Sequence, residues 1–76
     1  MKKQYEYEGQ TYEADEMLKD CLDYAKSEGK ISRSLLQRNF RLGYFRAGRI
    51  MAQIEAEGIL DKEHEGNSDK ERKVCF

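Results

Sequence analysis

The chain has 76 residues, with 38% apolar and 38% charged residues and a net charge of −1. This length allows one small domain with a modest core, and the apolar content is sufficient for folding. No apolar run could span a membrane or form a secretory signal, so a cytoplasmic location is expected. The chain has neither a GxxxxGKS/T phosphate-binding motif nor a nucleophile–base pairing, so we predict that it is not an enzyme and needs no cofactor.

Positive charge is concentrated in the middle of the chain. Residues 29–54 contain six of the 14 Lys and Arg residues and none of the 15 Asp and Glu residues. That window therefore carries +6, and the remaining residues, with eight basic and 15 acidic side chains, carry −7. A basic segment in an otherwise acidic domain points first to nucleic-acid phosphates, although a solvated basic face remains the alternative.

The cysteines give no sign of a metal site. Cys21 and Cys75 lie far apart, and His64 is the single histidine. We therefore predict that no metal is bound and that a disulfide is disfavoured in a reducing compartment. Cys21 falls on the apolar stripe of the first predicted helix, where a small buried core residue is expected.

The first predicted elements are an N-terminal arm and a helix. Residues 1–14 alternate aromatic and acidic residues around Gly9, a pattern compatible with a short hairpin or a flexible arm. We favour an arm that is disordered or contains one short strand, followed by the domain itself at residues 15–76. Asp15 is the predicted N-cap of a helix from about Glu16 to Glu28, and Gly29 ends it.

Two further helices follow with a tight turn between them. Ile31 suits a very short strand, and Ser32 is the predicted N-cap of a helix from Arg33 to about Phe40. After Gly43, a third helix is predicted from about Tyr44 to Glu57, with a buried stripe formed by Ala47, Ile50, Met51 and Ile54. Two helices joined by so short a turn indicate a helix-turn-helix.

The C-terminal part completes the predicted fold. Ile59–Leu60 and residues 72–76 are β-prone, and the polar, turn-rich stretch between them suits a long loop. We predict two antiparallel strands that form a small β wing. The expected fold is mainly α with this wing: a winged helix-turn-helix of three helices and a β-hairpin.

The run from Ser32 to Ile50, SRSLLQRNFRLGYFRAGRI, strongly resembles the gamma domain at the C-terminus of FtsK/SpoIIIE-type DNA translocases. That family reads Ser-x-Ser-x-x-Gln-Arg, then Arg-Ile-Gly-Tyr-Asn-Arg-Ala-Ala-Arg, then a Glu-x-x-Gly-Ile segment. The positions that match in register are Gln37-Arg38, Gly43-Tyr44, Arg46-Ala47, Arg49 and Glu55-x-x-Gly58-Ile59. The resemblance covers about residues 15–76, where Arg72-Lys73-Val74 is similar to the family's last wing strand.

The resemblance implies a domain that binds short oriented repeats in double-stranded DNA and so directs a translocase. In some family members the domain also contacts a site-specific recombinase. We expect a monomer in isolation, because no flanking helix could build a dimer interface, with several copies side by side on repeats. The Met1-Lys2-Lys3 start favours a free-standing protein over an excised module.

The candidate DNA contacts form two groups. Helical geometry places one set on the side of the third helix opposite its buried stripe, where arginines could grip guanine edges in the major groove. The candidates for base readout are Phe45, Arg46, Arg49 and Gln53. The candidates for phosphate contact are Lys30, Arg33, Ser34, Gln37, Arg38, Arg41, Tyr44, Arg72 and Lys73.

Two departures from the family pattern leave an alternative function open. Phe45 stands where the family has Asn, and the stretch from Asp61 to Glu71 is acidic and therefore a poor phosphate clamp. An apolar ring could touch a thymine methyl or belong to a protein contact. The alternative is a protein-docking winged helix that contacts a recombinase or a motor protein through Tyr44, Phe45 and the acidic wing.

Overall fold

The structure is a computed structural model that describes residues 3–75. Its helices are α1 (Leu18–Glu28), α2 (Arg33–Phe40) and α3 (Tyr44–Ala56). Its strands are β1 (Gln4–Tyr7), β2 (Gln10–Glu13), β3 (Lys30–Ile31) and β4 (Arg72–Lys73). β1 pairs antiparallel with β2, and β3 pairs antiparallel with β4. Three helices with small antiparallel hairpins confirm the predicted fold class.

The helix-turn-helix follows from local signals in the sequence. Ser32 caps α2, because its Oγ accepts a hydrogen bond from the Leu35 amide at 3.2 Å. α2 ends at Arg41, which adopts the left-handed conformation with φ of 54°. Residues 41–43 connect α2 to α3, and the two helices pack against each other. The predicted bounds of α2 are confirmed, and α3 ends one residue earlier than predicted.

α1 begins later than the sequence suggested. It was predicted to start at Glu16 and starts at Leu18. Asp15 still satisfies the free backbone groups, because its carbonyl accepts from the Leu18 amide and its Oδ1 accepts from the Met17 amide, both at 2.9 Å. Residues 15–17 therefore form a capping turn in front of the helix. At the other end, Gly29 stops α1 in a left-handed conformation, as predicted.

The core lies between the three helices and the strands that follow them. Its fully buried members are Cys21, Ala25, Ile31, Leu36, Ala47, Ile50 and Ile54, and those of the predicted α3 stripe are all among the core residues. Burial raises the pKa of the Cys21 thiol to about 11, and both Cys21 and the exposed Cys75 are free. Between residues 3 and 75, no helix has the length and apolar character that crossing a membrane requires.

The wing is arranged differently from the predicted hairpin. β4 pairs with β3, with Ile31 opposite Arg72, and the segment after α3 joins β4 through a single bridge between Leu60 and Val74. The backbone amide of Asp61 also donates to the Lys73 carbonyl at 2.9 Å. β4 therefore lies between β3 and the Leu60 segment. The Ile31 side chain is fully buried, so its pairing with Arg72 places β4 next to the core.

The N-terminal segment forms a hairpin rather than the favoured arm or single strand. Glu8 and Gly9, at the turn between β1 and β2, both have positive φ angles, 52° and 75°. Such turns match the twist of a tight antiparallel hairpin. Tyr5 lies opposite Tyr12 in the register, and side chains alternate along each strand. Tyr5, Tyr7 and Tyr12 consequently share one side of the hairpin.

Candidate nucleic-acid interface

The tyrosine side of the hairpin packs on the side of α3 that faces away from the core. The Tyr7 ring meets the Phe45 ring edge-on with centroids 5.2 Å apart, and the Tyr12 ring does so at 6.4 Å. The Arg49 guanidinium lies 4.9 Å above the Tyr12 ring. We name residues 3–13 the N-terminal hairpin and this side of α3 (Phe45, Gly48, Arg49 and Ala52) the reading face. The hairpin thus lies over residues predicted to read bases.

Gly48 allows the hairpin to approach α3 closely. A Cβ at this position would lie 2.4 Å from Arg33 Nη2 and 2.4 Å from Tyr7 Oη. Those two groups fill the space above the glycine and are hydrogen-bonded to each other at 3.1 Å. A glycine inside a helix predicts close packing against it, and at Gly48 the packing partners are the side chains of Arg33 and Tyr7.

The far end of the hairpin is attached near the C-terminus of α3. Tyr5 is buried, its hydroxyl donates to Glu57 at 2.7 Å, and Lys3 forms an ion pair with the same carboxylate at 3.0 Å. The hydrogen bond from Tyr5, and after it the one from Lys3, are the main causes of a lowered pKa of Glu57. Gln53 donates to the Glu13 carbonyl at 3.1 Å and accepts from the Asp15 amide at 2.9 Å. Gln53, a predicted base contact, is fully buried and occupied by these bonds.

Asp15 holds both arginines that were predicted to read bases. Arg46 donates to it twice, through Nε at 3.0 Å and Nη2 at 2.8 Å, and Arg49 Nη2 donates at 2.7 Å. Burial by itself would raise the pKa of Asp15, but hydrogen bonds from Arg46, the Met17 amide and Arg49 outweigh it and hold the pKa well below its usual value. The carboxylate therefore stays ionised and fixes the two guanidinium groups beside the reading face.

Two other predicted DNA contacts are buried arginines. Arg33 stacks on the Tyr44 ring at 3.9 Å and lies 3.4 Å from Asp69, with only 11% of its side chain exposed. Arg72 is 1% exposed and forms ion pairs with Glu55 at 2.9 Å and Asp61 at 3.1 Å. Their guanidinium groups are directed into the fold, so in this conformation they are not available to phosphates.

The outward side of α2 carries the predicted phosphate contacts that remain accessible. Ser34, Arg38 and Arg41 are exposed and Gln37 is half-buried. Helical spacing places these four on one side of the helix, and we name them the α2 face. Across residues 3–75, Arg38 and Arg41 have no carboxylate partner. Tyr44, 61% exposed, continues this surface at the start of α3.

Lys30 and Lys73 lie at the edge of the wing. They face each other across the pairing of β3 and β4, and both are exposed. Lys30 lies 3.7 Å from Glu71 in a solvent-exposed ion pair, which contributes little to stability. The predicted phosphate contacts therefore divide into an accessible α2 face, the exposed Tyr44 beside it, two exposed lysines and two buried arginines.

The architecture defines a small winged helix-turn-helix domain with a basic second helix. The family model described as the Ftsk gamma domain matches residues 12–76. The chain belongs to this family, which confirms the resemblance carried by the helix-turn-helix sequence.

The similar proteins are much longer than this chain. It is 48% identical over 48 residues to a DNA translocase FtsK of Caldanaerobacter subterraneus subsp. tengcongensis, covering 63% of the chain and 7% of that protein. It is 37% identical over 64 residues to the DNA translocase SftA of Bacillus subtilis, covering 84% and 6%. It is 39% identical over 62 residues to a DNA translocase FtsK of Clostridium tetani, covering 82% and 8%. The chain thus spans less than a tenth of each.

The family match and the hairpin overlap only at their margin. The match begins at residue 12, so β1 and the turn that follows it precede the matched region. Sequence reasoning missed Asp15 as an arginine partner and the tyrosines as packing residues. The signal available for the tyrosines was their spacing around Gly9, because positions 5, 7 and 12 share one side of a hairpin that turns there.

Proposed function

We propose that this chain binds double-stranded DNA, using the α2 face for phosphates and α3 for sequence-specific reading of short repeats in the major groove. The observation that supports this most directly is the α2 face, where exposed arginines that have no carboxylate partner among the described residues lie beside the start of α3. In helix-turn-helix proteins the second of the two helices lies in the major groove while the first crosses the backbone.

The side chains fit distinct roles in such a complex. Arg38 and Arg41 would neutralise phosphates, and Ser34 and Gln37 would add hydrogen bonds that fix the register. Arg46 and Arg49 would each present free guanidinium N–H groups to guanine O6 and N7. Tyr44 would lie against the backbone, and Phe45 would touch a thymine methyl. Lys30 and Lys73 would extend the phosphate contacts toward the wing.

The names of the similar proteins suggest the biological setting. A DNA translocase needs a part that engages DNA, and this domain would be that part in a larger assembly. The partners we propose are double-stranded DNA and, in addition, a translocase motor or a site-specific recombinase. Several copies would bind side by side on repeated sequences.

The test is a fluorescence titration of labelled duplexes at several salt concentrations. Binding that weakens steeply with salt is expected, because each neutralised phosphate contributes about 0.9 to the log–log slope. Arg38→Ala and Arg41→Ala should each reduce that slope by about one unit on all sequences. Lys62→Ala, which removes an exposed positive charge from the loop after α3, is the matched control. An equally large fall in the salt slope for Lys62→Ala would contradict a phosphate role for the α2 face.

A second candidate, protein docking, has one observation in its favour. Tyr44 and Phe45 are adjacent exposed large hydrophobic side chains, at 61% and 49% exposure. Aromatic side chains of this kind are common anchors in protein interfaces. Tyr44→Ser should abolish binding to a recombinase or motor protein while leaving the salt slope for duplex DNA unchanged. Loss of DNA binding alone would favour the first function.

A further inference from the structure

We propose that the N-terminal hairpin is an intramolecular cover that competes with DNA for the reading face of α3. The inference rests on the proposed function, whose site it regulates. In the closed form, Tyr7 and Tyr12 pack on Phe45, and Tyr12 also lies beneath the Arg49 guanidinium. DNA reaches the reading face in an open form in which the hairpin has moved away from α3.

Space excludes simultaneous occupancy. An α-helix with its side chains is about 10–12 Å wide, and the major groove is about 12 Å wide, so one helix fills it. A layer of β-structure packed on that helix adds roughly a further 10 Å. Tyr7 packs so closely on α3 that even a methyl group at Gly48 would collide with its hydroxyl. α3 cannot enter the groove to the depth of Phe45 and Arg49 with the hairpin in place.

Charge opposes DNA binding by the hairpin itself. A two-stranded ribbon can occupy a major groove, but the N-terminal hairpin includes Glu6, Glu8 and Glu13, and its single basic residue, Lys3, is paired with Glu57. Glu6 pairs with Thr11 and Glu13 with Gln4, on the side of the hairpin opposite the tyrosines. That side faces outward and is acidic, so it would repel phosphates.

The hairpin's attachment is weak enough to open. Among residues 3–13, Tyr5 is the one buried residue, Tyr7 and Tyr12 are half-buried and the remainder are exposed. An isolated two-stranded hairpin is marginally stable, so its order depends on these few contacts. The rest of the core belongs to α1, β3, α2, α3 and the segments that follow them. Opening would therefore leave the helix-turn-helix intact.

The decisive experiment uses the full chain and two substitutions that weaken the closed form from opposite sides. Tyr7→Ala removes the ring that packs on Phe45. Gly48→Ala places a methyl group where Tyr7 and Arg33 now lie and favours the helix, so it loosens the hairpin without weakening α3. The matched controls are Tyr24→Ala, which removes a half-buried ring that packs on Phe40, and Gly43→Ala, whose added Cβ would meet no described residue within 4 Å apart from its chain neighbours.

Two readouts are needed: amide hydrogen exchange of Tyr5 and Tyr7 with and without duplex, and duplex affinity. Apparent affinity is proportional to the fraction of molecules in the open form, and both substitutions raise that fraction. The two loosened variants should therefore bind preferred duplexes at least about tenfold more tightly than the unaltered chain. Controls should stay within about twofold of it. In the unaltered chain, saturating duplex should increase exchange at the hairpin amides.

Each contrary result has a distinct meaning. Loosened variants with faster exchange but equal or weaker DNA binding would overturn the inference, and weaker binding would show that the hairpin contributes DNA contacts. Hairpin amides that remain protected from exchange when the unaltered chain is bound to duplex would also overturn the inference, but they would leave the proposed function intact. Failure of every variant to bind any duplex at low salt would instead refute the proposed function.

Discussion

The arginines of the α2 face and those of α3 come from the same basic stretch of sequence but have different surroundings. The α2 face has Arg38 and Arg41, and α3 has Arg49 in the reading face and Arg46 beside it; each pair lies about one helical turn apart in a window without acidic residues. Arg38 and Arg41 are exposed and unpaired within the described chain, whereas Arg46 and Arg49 are 38% and 22% exposed and share Asp15. Charge along the sequence therefore identifies where a basic surface could form, and tertiary contacts decide which part of it can be used.

The largest predicted effect concerns an arginine that is not on a surface. Arg72→Ala should lower the free energy of unfolding by about 2–4 kcal/mol, because it removes a fully buried long side chain and leaves the carboxylates of Glu55 and Asp61 without their partner. Urea unfolding measures the change. Lys73→Ala, at the exposed neighbouring position, is the control. Equal losses of unfolding free energy for Arg72→Ala and Lys73→Ala would show that Arg72 does not stabilise the fold, and phosphate contact would again be its expected role.

Asp15→Asn tests how much the carboxylate shared by Arg46 and Arg49 stabilises the fold. We expect a loss of about 1–2 kcal/mol at neutral pH, reduced from a buried value because Arg46 is partly exposed. The folded-state pKa is lowered, so the ionised carboxylate stabilises the fold above its unfolded value of about 3.9, and this contribution is lost as pH falls through the folded pKa.

Urea unfolding at pH 7 and pH 3 checks the Asp15 prediction. The unaltered chain should lose stability between the two values, and Asp15→Asn should lose less over the same range. Asp20→Asn, on the exposed side of α1, is the matched control. An identical pH dependence in Asp15→Asn and the unaltered chain would show that Asp15 carries none of it.

Phe45→Asn would make the reading face resemble that of the family motif. It removes the ring contacts with Tyr7 and Tyr12, which we expect to weaken hairpin docking by about 1 kcal/mol. Amide exchange of the hairpin should accelerate and DNA affinity should rise. Tyr44→Asn, which removes the neighbouring exposed ring, is the control for the amide-exchange measurement. A fall in DNA affinity with unchanged hairpin exchange would make Phe45 a base contact.

Lys30→Gln should have the smallest effect. The ion pair with Glu71 is exposed at both ends, so stability should change by less than about 0.5 kcal/mol. The salt slope of DNA binding should fall by less than it does for Arg38→Ala, because Glu71 already partly neutralises Lys30. Thermal unfolding and the duplex titration measure the two quantities. A larger fall in slope than for Arg38→Ala would move the centre of the phosphate surface toward the wing.

The helices were predictable because their determinants are local. Ser32 and Gly29 mark helix ends by capping and backbone conformation, and the α3 stripe follows from helical periodicity. The hairpin was underestimated because its stability comes from packing on a helix more than 30 residues away in sequence. The burial of Arg33 and Arg72 could not be predicted either, since their partners Tyr44, Asp61 and Glu55 meet them only in the folded chain.

Arg41 shows how two requirements can conflict at one position. It ends α2 in a left-handed conformation, where glycine is the common residue and other residues are strained by about 1 kcal/mol. A glycine there would relax the backbone but remove one of the two positive charges of the α2 face. At this turn, the residue that would make the domain most stable differs from the residue that would make it bind phosphates most strongly. This chain has the charged residue.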